Sequence, residues 1–280
     1  MTSIKRTLTA HPINQFKRDP RFYLMYDGFW LAVCVALLAI MGATGFRPAL
    51  PGLAWWYVPV FPVLVFAFIW AQLTVHNCTH GNLPKPINRV VGEMLGLIIL
   101  VRFASWDIVH MRHHKYSDDR LRDPHPNFPS FWETVSHTIV NTEVQLQQQY
   151  YDTWGDTPEH RRSEAFRARV SYGTNLVLVA CWVWLLGPVF FLTVFFPANI
   201  LAGLFIIHFN WSTHNGETAT TVDDMHPVNM NQGYYLWGNR LFCGIYAHRT
   251  HHERPYLLNP ARQTDFASAT RAREQWEQAA

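Results

Sequence analysis

Charge is strongly segregated along this 280-residue chain, and three long stretches carry no Asp, Glu, Lys or Arg. Gly28–Phe46 and Ala54–Val75 are each 19 or more residues long, and Tyr172–Trp211 runs for 40. Roughly 20 apolar residues span a bilayer as a helix, whereas buried helices of soluble proteins are usually shorter and amphipathic. The pattern therefore predicts an all-α, multi-pass membrane protein. Val90–Ala104 is apolar but short, and it holds Glu93 and Arg102, each costly at the bilayer centre. It reads as an interfacial or re-entrant helix. The polar segment Gln145–Arg169 reads as a solvated connector with helical stretches, whose charges need no partner.

Histidines stand out against this background in three tight clusters: His76 and His80; His110, His113 and His114; and His248, His251 and His252, with His214 alone between the last two. Neutral imidazole is a common ligand for divalent iron, zinc, copper or nickel. On a helix, residues at i and i+4 share a face, so His76 and His80 can point at one ion. The two HxxHH triplets put three imidazoles on one stripe, and their adjacent pairs splay toward different ions. Nine nitrogens are too many for one ion, so the clusters read as a dinuclear centre. A nitrogen-dominated donor set favours iron over magnesium or calcium and leaves zinc and copper open.

A shared centre requires all clusters on one side of the membrane. His80 closes the second span, where Gly81 and Pro84 supply a stop, so an even number of crossings must separate it from His214 and His248. Two helices turning between Gly187-Pro188 and Pro197 satisfy this. The expected architecture is four transmembrane helices, interfacial helices and a helical cap. Its segments are an N-terminal part (1–27), a hairpin ending in the first cluster (28–80), an interfacial helix and cap (81–171), a second hairpin (172–211) and a C-terminal cap (212–280). Lys and Arg total 23 against 20 acids, and only Arg47 falls in a loop away from the histidines. The positive-inside rule then places both termini and the histidines in the cytoplasm. No cleavable signal peptide is expected, because the first apolar run starts at residue 28 and is long enough to span. Basic residues beside a membrane attract anionic lipid, and no nucleic-acid partner is expected. Four cysteines without a CxxC pair support neither a zinc ribbon nor an iron–sulfur site.

The histidine clusters His76-Asn-Cys-Thr-His80, His110-Met-Arg-His113-His114 and His248-Arg-Thr-His251-His252 resemble the membrane-bound fatty acid desaturases in order, spacing and topology, over roughly Tyr26 to Pro260. Lys115-Tyr-Ser-Asp118-Asp119 and Arg122-Asp123-Pro124 after the second cluster strengthen the likeness, which extends to related hydroxylases and ketolases. The resemblance implies two non-haem irons, O2 as co-substrate and insertion of a double bond into an acyl chain. The alternative is hydroxylation of a hydrophobic chain. By the same resemblance, Asn210-Trp-Ser-Thr-His214 supplies His214 as the ninth ligand and Asn210 as holder of a metal-bound water. His208 reads as a packing histidine, and His11, His125, His137, His160 and His226 have no matching context.

Acids near the clusters are candidates for orienting the imidazoles: Asp107, Asp118, Asp119, Asp123 and Glu253. Electrons are expected from an external ferredoxin, rubredoxin or cytochrome b5 and its reductase, because no redox module is recognisable at either end. Such a donor would dock around Arg112, Lys115, Arg120 and Arg122. A bacterial inner membrane is the expected setting. A Glu253-Arg254-Pro255 run follows the last cluster where desaturases often have Leu-Phe-Pro, and no glutamine leads that cluster, so regiochemistry is left open. A membrane haem carrier would need histidines paired inside the bilayer, and a zinc hydrolase of the HExxH type would need a glutamate absent from every cluster.

Overall fold

The computed structural model describes residues 10–48, 50 and 52–266. Helices dominate the described residues, with one isolated antiparallel bridge between Asn229 and Ala247. In chain order the principal helices are α1 (Pro12–Phe16), α2 (Phe22–Ala43), α3 (Tyr57–Thr79), α4 (Lys85–Ile98), α5 (Phe103–Tyr116), α6 (Phe131–Trp154), α7 (Pro158–Leu186), α8 (Pro188–Thr213), α9 (Tyr234–Leu241) and α10 (His248–Glu253).

Four of these, α2, α3, α7 and α8, are long and apolar enough to cross a bilayer. At 1.5 Å per residue, the 22 residues of α2 reach roughly 33 Å, the thickness of a hydrocarbon core. α2 packs on α7 and α3 on α8. Most of the apolar surface of each faces outward, which is stable only against lipid. The chain reverses at Gly187, between α7 and α8. Pro197 does not break α8. It follows a stretch of wider turns, Phe191–Phe195, which accommodates a residue with no N–H to donate.

The segment Gln145–Arg169 corrects the expectation of a solvated connector. It comprises the end of α6 and the start of α7, joined at Gly155, with the Thr157 side chain capping α7 by accepting from the His160 N–H. Its charges do have partners. Arg167 is buried against Glu143 and Glu164 and lies over the Tyr23 ring.

The apolar segment before the second cluster is two helices, α4 and α5, bent by 104°. The reversal needs a residue without a side chain at Gly96, where a Cβ would lie 2.5 Å from the Val101 carbonyl oxygen. Neither charge in this segment is bare. Arg102 pairs with the buried Asp27 of α2 and donates to Ser171 of α7, while Glu93 accepts from Tyr26 and Arg89. These cross-links tie α4 and α5 to the first and third spans, and so fix the floor on which the second histidine cluster stands.

Candidate metal centre

All nine clustered histidines converge. The ligand atoms of His76, His80, His110, His114 and His251 lie within 4.8 Å of one another, and so do those of His113, His214, His248 and His252. The adjacent pairs split as helical geometry requires: His114 and His251 face the first group, His113 and His252 the second. His76 and His80 reach the centre from the end of α3. That end is held by Asn88, which donates to the Cys78 carbonyl at 2.7 Å. α10 has only six residues and depends on Asn229, whose side chain accepts from the Thr250 N–H and donates to the Thr250 hydroxyl.

Within the groups, ring nitrogens approach at hydrogen-bond distances: His80 to His110 Nε2 at 2.8 Å, His110 to His114 at 3.1 Å, His114 to His251 at 3.2 Å, His214 to His248 at 3.0 Å and His248 to His252 at 3.1 Å. Two of the nine imidazoles are also held in a fixed tautomer. His113 Nδ1 donates to both oxygens of Asp123, at 2.9 and 3.0 Å, and His214 Nδ1 donates to both oxygens of Asp118 at 2.9 Å. Each bond leaves the Nε2 of that ring as a lone pair aimed into the centre. His113 Nε2 and His76 Nε2 are buried with no hydrogen-bond partner. Lone pairs converging on one point in a buried pocket are stabilised by a cation there. The donor set fits two soft-to-borderline transition-metal ions, one with five nitrogens and one with four.

Electrostatics agree. Burial first, then the neighbouring imidazoles, push His80 down to about 2 and hold His110, His248 and His251 far below the usual histidine value, so these rings are in the neutral, ligating form. Burial would also lower His113, but the Asp123 carboxylate and its hydrogen bond pull it up, making that ring a stronger donor. Burial opposes ionisation of Asp118, yet His214 and its hydrogen bond hold the carboxyl well below the usual range.

Of the five candidate acids, Asp118 and Asp123 therefore stand at the imidazoles and three do not. Asp107, one turn before His110, accepts from the Ile13 N–H at 2.7 Å and lies 3.7 Å from His11 rather than at a clustered imidazole. Asp119 caps the turn after α5 and pairs with Arg122. Glu253 pairs with Arg249 on the exposed side of α10. Asn210 donates to Asn127 at 3.1 Å, and Asn127 in turn donates to Asp118, so Asn210 lies on the four-histidine side through this chain. His208 packs against Phe131 and Trp211, away from the centre.

Arg112 cannot serve a docking surface. It is 2% exposed and donates to Gln145, Gln149, Asp152 and the Arg122 carbonyl. Lys115, Arg120 and Arg122 remain exposed. Sequence reasoning missed Asn127 and Asn229; the ring of His125, which has no matching context in the sequence, stands 6.0 Å from that of His113. Asn127 lies three residues beyond Arg122-Asp123-Pro124, and nothing in its local pattern distinguishes it from a loop asparagine.

Comparison with known proteins follows the same line. The profile described as "Fatty acid desaturase" matches residues 53–262. The chain is similar to an sn-1 oleoyl-lipid 12-desaturase of Picosynechococcus sp., 28% identical over 98 residues, which cover 34% of this chain and 27% of that protein. It is also similar to a Delta(12) fatty acid desaturase of Mortierella alpina, 32% identical over 79 residues, covering 28% of this chain and 19% of that protein. A Delta(12) fatty acid desaturase of Mortierella isabellina matches to the same extent. These matches thus span about a quarter or less of the relatives' own length. No solved structure matches the chain significantly.

Proposed function

The chain belongs to the fatty acid desaturase family, and we propose that it is an O2-dependent, non-haem diiron oxidoreductase that introduces a double bond into an acyl chain. The observation that carries this reading is the pair of convergent nitrogen groups with tautomers fixed by Asp118 and Asp123. His76, His80, His110, His114 and His251 would hold one iron. His113, His214, His248 and His252 would hold the other, with Asn210 retaining a water beside it. Bound there, two irons would supply the four-electron reduction of O2 to two waters, with two electrons from an external donor, two protons from solvent, and two hydrogens with their two electrons from adjacent carbons of the chain.

The protein's own residues do the rest. Asp123 and Asp118 hold their imidazoles in one tautomer and orientation, as carboxylates behind metal-ligating histidines do. Burial of the nitrogens excludes bulk water from the site. A small cavity beside His76, His248 and His251 has an apolar wall of Leu73, Phe209, Ile245 and Leu257, on which side a hydrocarbon chain would approach.

In this reading the histidine face and both termini are cytoplasmic, residues 28–80 and 172–211 form the membrane hairpins, and the membrane is a bacterial inner membrane. A ferredoxin, rubredoxin or cytochrome b5 with an acidic surface docks near Lys115, Arg120 and Arg122. The named relatives act on fatty acids or lipids, and the substrate class taken from them is an acyl chain, not a position on it. The test is expression with a donor and its reductase, followed by mass spectrometry of the cell lipids. Loss of two hydrogens from an acyl chain is expected; gain of one oxygen would replace desaturation by hydroxylation.

A further inference from the structure

The cavity described above holds about 20 Å³, room for little more than a water. No hydrocarbon chain reaches the histidines until something moves, and the wall beside α3 and α8 shows what that is. Phe242 is 7% exposed and lines the cavity. Its ring lies 5.6 Å from Phe66 and 6.2 Å from Trp70, both on α3, and 5.4 Å from Phe205 on α8. Phe66 and Trp70 precede His76 by ten and six residues, and Phe205 precedes His214 by nine. At 1.5 Å per residue, these partners lie roughly 9–15 Å further into the spans than the histidines. A residue from the C-terminal cap thus reaches deep between two membrane-crossing helices. Phe66 itself is 45% exposed.

The helix that delivers Phe242 must therefore lie in the lipid surface. α9 exposes Tyr234 (54%), Trp237 (60%) and Leu241 (49%), at i, i+3 and i+7 on one face, with Arg240 stacked 5.0 Å over Trp237. Aromatic residues with a neighbouring cation suit the boundary between headgroups and hydrocarbon. The base of this hairpin is rigid. The Asn239 side chain donates to the Met230 carbonyl and accepts from the Tyr246 N–H, and a Cβ on Gly244 would lie 2.3 Å from the Asn259 side-chain oxygen. A change of rotamer at Phe242 would break ring contacts with Phe66, Trp70 and Phe205 but no hydrogen bond.

We propose that Phe242, carried on the lipid-immersed helix α9, is a side gate through which an apolar chain passes from the bilayer, between α3 and α8, to the histidines. This rests on the acyl-chain reading above. The partner of the α9 face is lipid, because Phe242, just past the end of α9, packs against the membrane-crossing helices α3 and α8.

Cys243, next to Phe242, lines the same cavity and is half-buried, whereas Cys34, Cys78 and Cys181 are buried. It is a native reporter of the gate. The full chain is reconstituted in phosphatidylcholine vesicles and exposed to dodecylmaleimide, which partitions into the bilayer, or to a sulfonated maleimide confined to water. The Cys243 adduct is then measured by peptide mass spectrometry. Phe242→Ala should accelerate labelling by dodecylmaleimide about tenfold, in proportion to the open population, with little change for the sulfonated reagent. Phe242→Leu should fall between, and Phe242→Trp should label more slowly than the unaltered protein. Stearic acid should slow dodecylmaleimide labelling of the Ala variant. Equal acceleration by both reagents, no acceleration in either small variant, or no protection by stearic acid overturns the gate. Labelling needs neither metal nor turnover, so an error in the diiron reading would appear in the metal content and leave this pattern intact.

Discussion

Replacing Asp123 with Asn keeps the shape of the side chain and removes one of its two acceptors. Asp123 is fully buried, and its oxygens accept from His113 Nδ1 at 2.9 and 3.0 Å, from the Asp118 N–H at 2.8 Å and from the His125 N–H at 2.8 Å. A carboxamide has one oxygen, so at least one of these donors would face an NH2 group. An unmet buried donor costs about 1–3 kcal/mol. Loss of the group that orients a metal-ligating imidazole typically costs roughly 10- to 100-fold in metal affinity, about 1.4–2.8 kcal/mol. The loss should fall on the four-histidine group, because His113 belongs to it. Asp123→Asn should therefore yield a folded, membrane-inserted protein that gives up one iron to a chelator at concentrations that leave the unaltered protein loaded. Iron per chain, measured by mass spectrometry after graded chelator dialysis, reads this out, and helical circular dichroism reports folding. Asp119→Asn and Glu253→Gln serve as controls, since both acids pair with arginines away from the imidazoles. Chelator resistance of Asp123→Asn equal to that of the unaltered protein, or an equal loss in the controls, would show that Asp123 does not secure the metal.

Removing His113 or His251 by alanine substitution should abolish turnover while membrane insertion is retained; full activity in either variant would sink the two-metal reading. Arg102→Ala leaves Asp27 buried without its cation and should destabilise the protein by about 3–5 kcal/mol. Thermal unfolding in detergent checks this, and an unchanged Tm would contradict it. Seven imidazoles, His80, His110, His114, His125, His248, His251 and His252, are lowered first by burial and then by neighbouring charges. Each regains a value of about 6.5 on unfolding, so below that pH the unfolded state binds more protons and stability falls as pH falls. His113, raised in the fold, works the other way. The Tm of the metal-free protein should therefore drop steadily from about pH 7 to pH 5.5, and a flat or rising Tm would contradict the buried, neutral state of these rings.

Uncharged length made the four spans visible in the sequence, since nothing else in a chain mimics Tyr172–Trp211. Cluster spacing made the division of adjacent histidines visible, because helical geometry sends His113 and His114 to different sides. Long-range pairing was not visible. Gln145–Arg169 looked solvated because Arg167 meets Glu143, 24 residues away, and Tyr23 on another helix. Among the acids, Asp123 and Asp118 could not be separated from Asp107 and Asp119 by sequence distance. Separating them took the bend between α4 and α5 and the left-handed backbone of Asp118. The depth of Phe242 was hidden for the same reason: it depends on which part of α3 a distant hairpin touches.

Every step of the proposed chemistry depends on two irons held by nine histidine nitrogens in one chain. Iron analysis of the protein purified after growth with iron, together with X-ray absorption at the iron edge, should find two irons per chain in a shell dominated by imidazole nitrogen. One ion per chain, none, or a shell dominated by sulfur would overturn the two-iron reading.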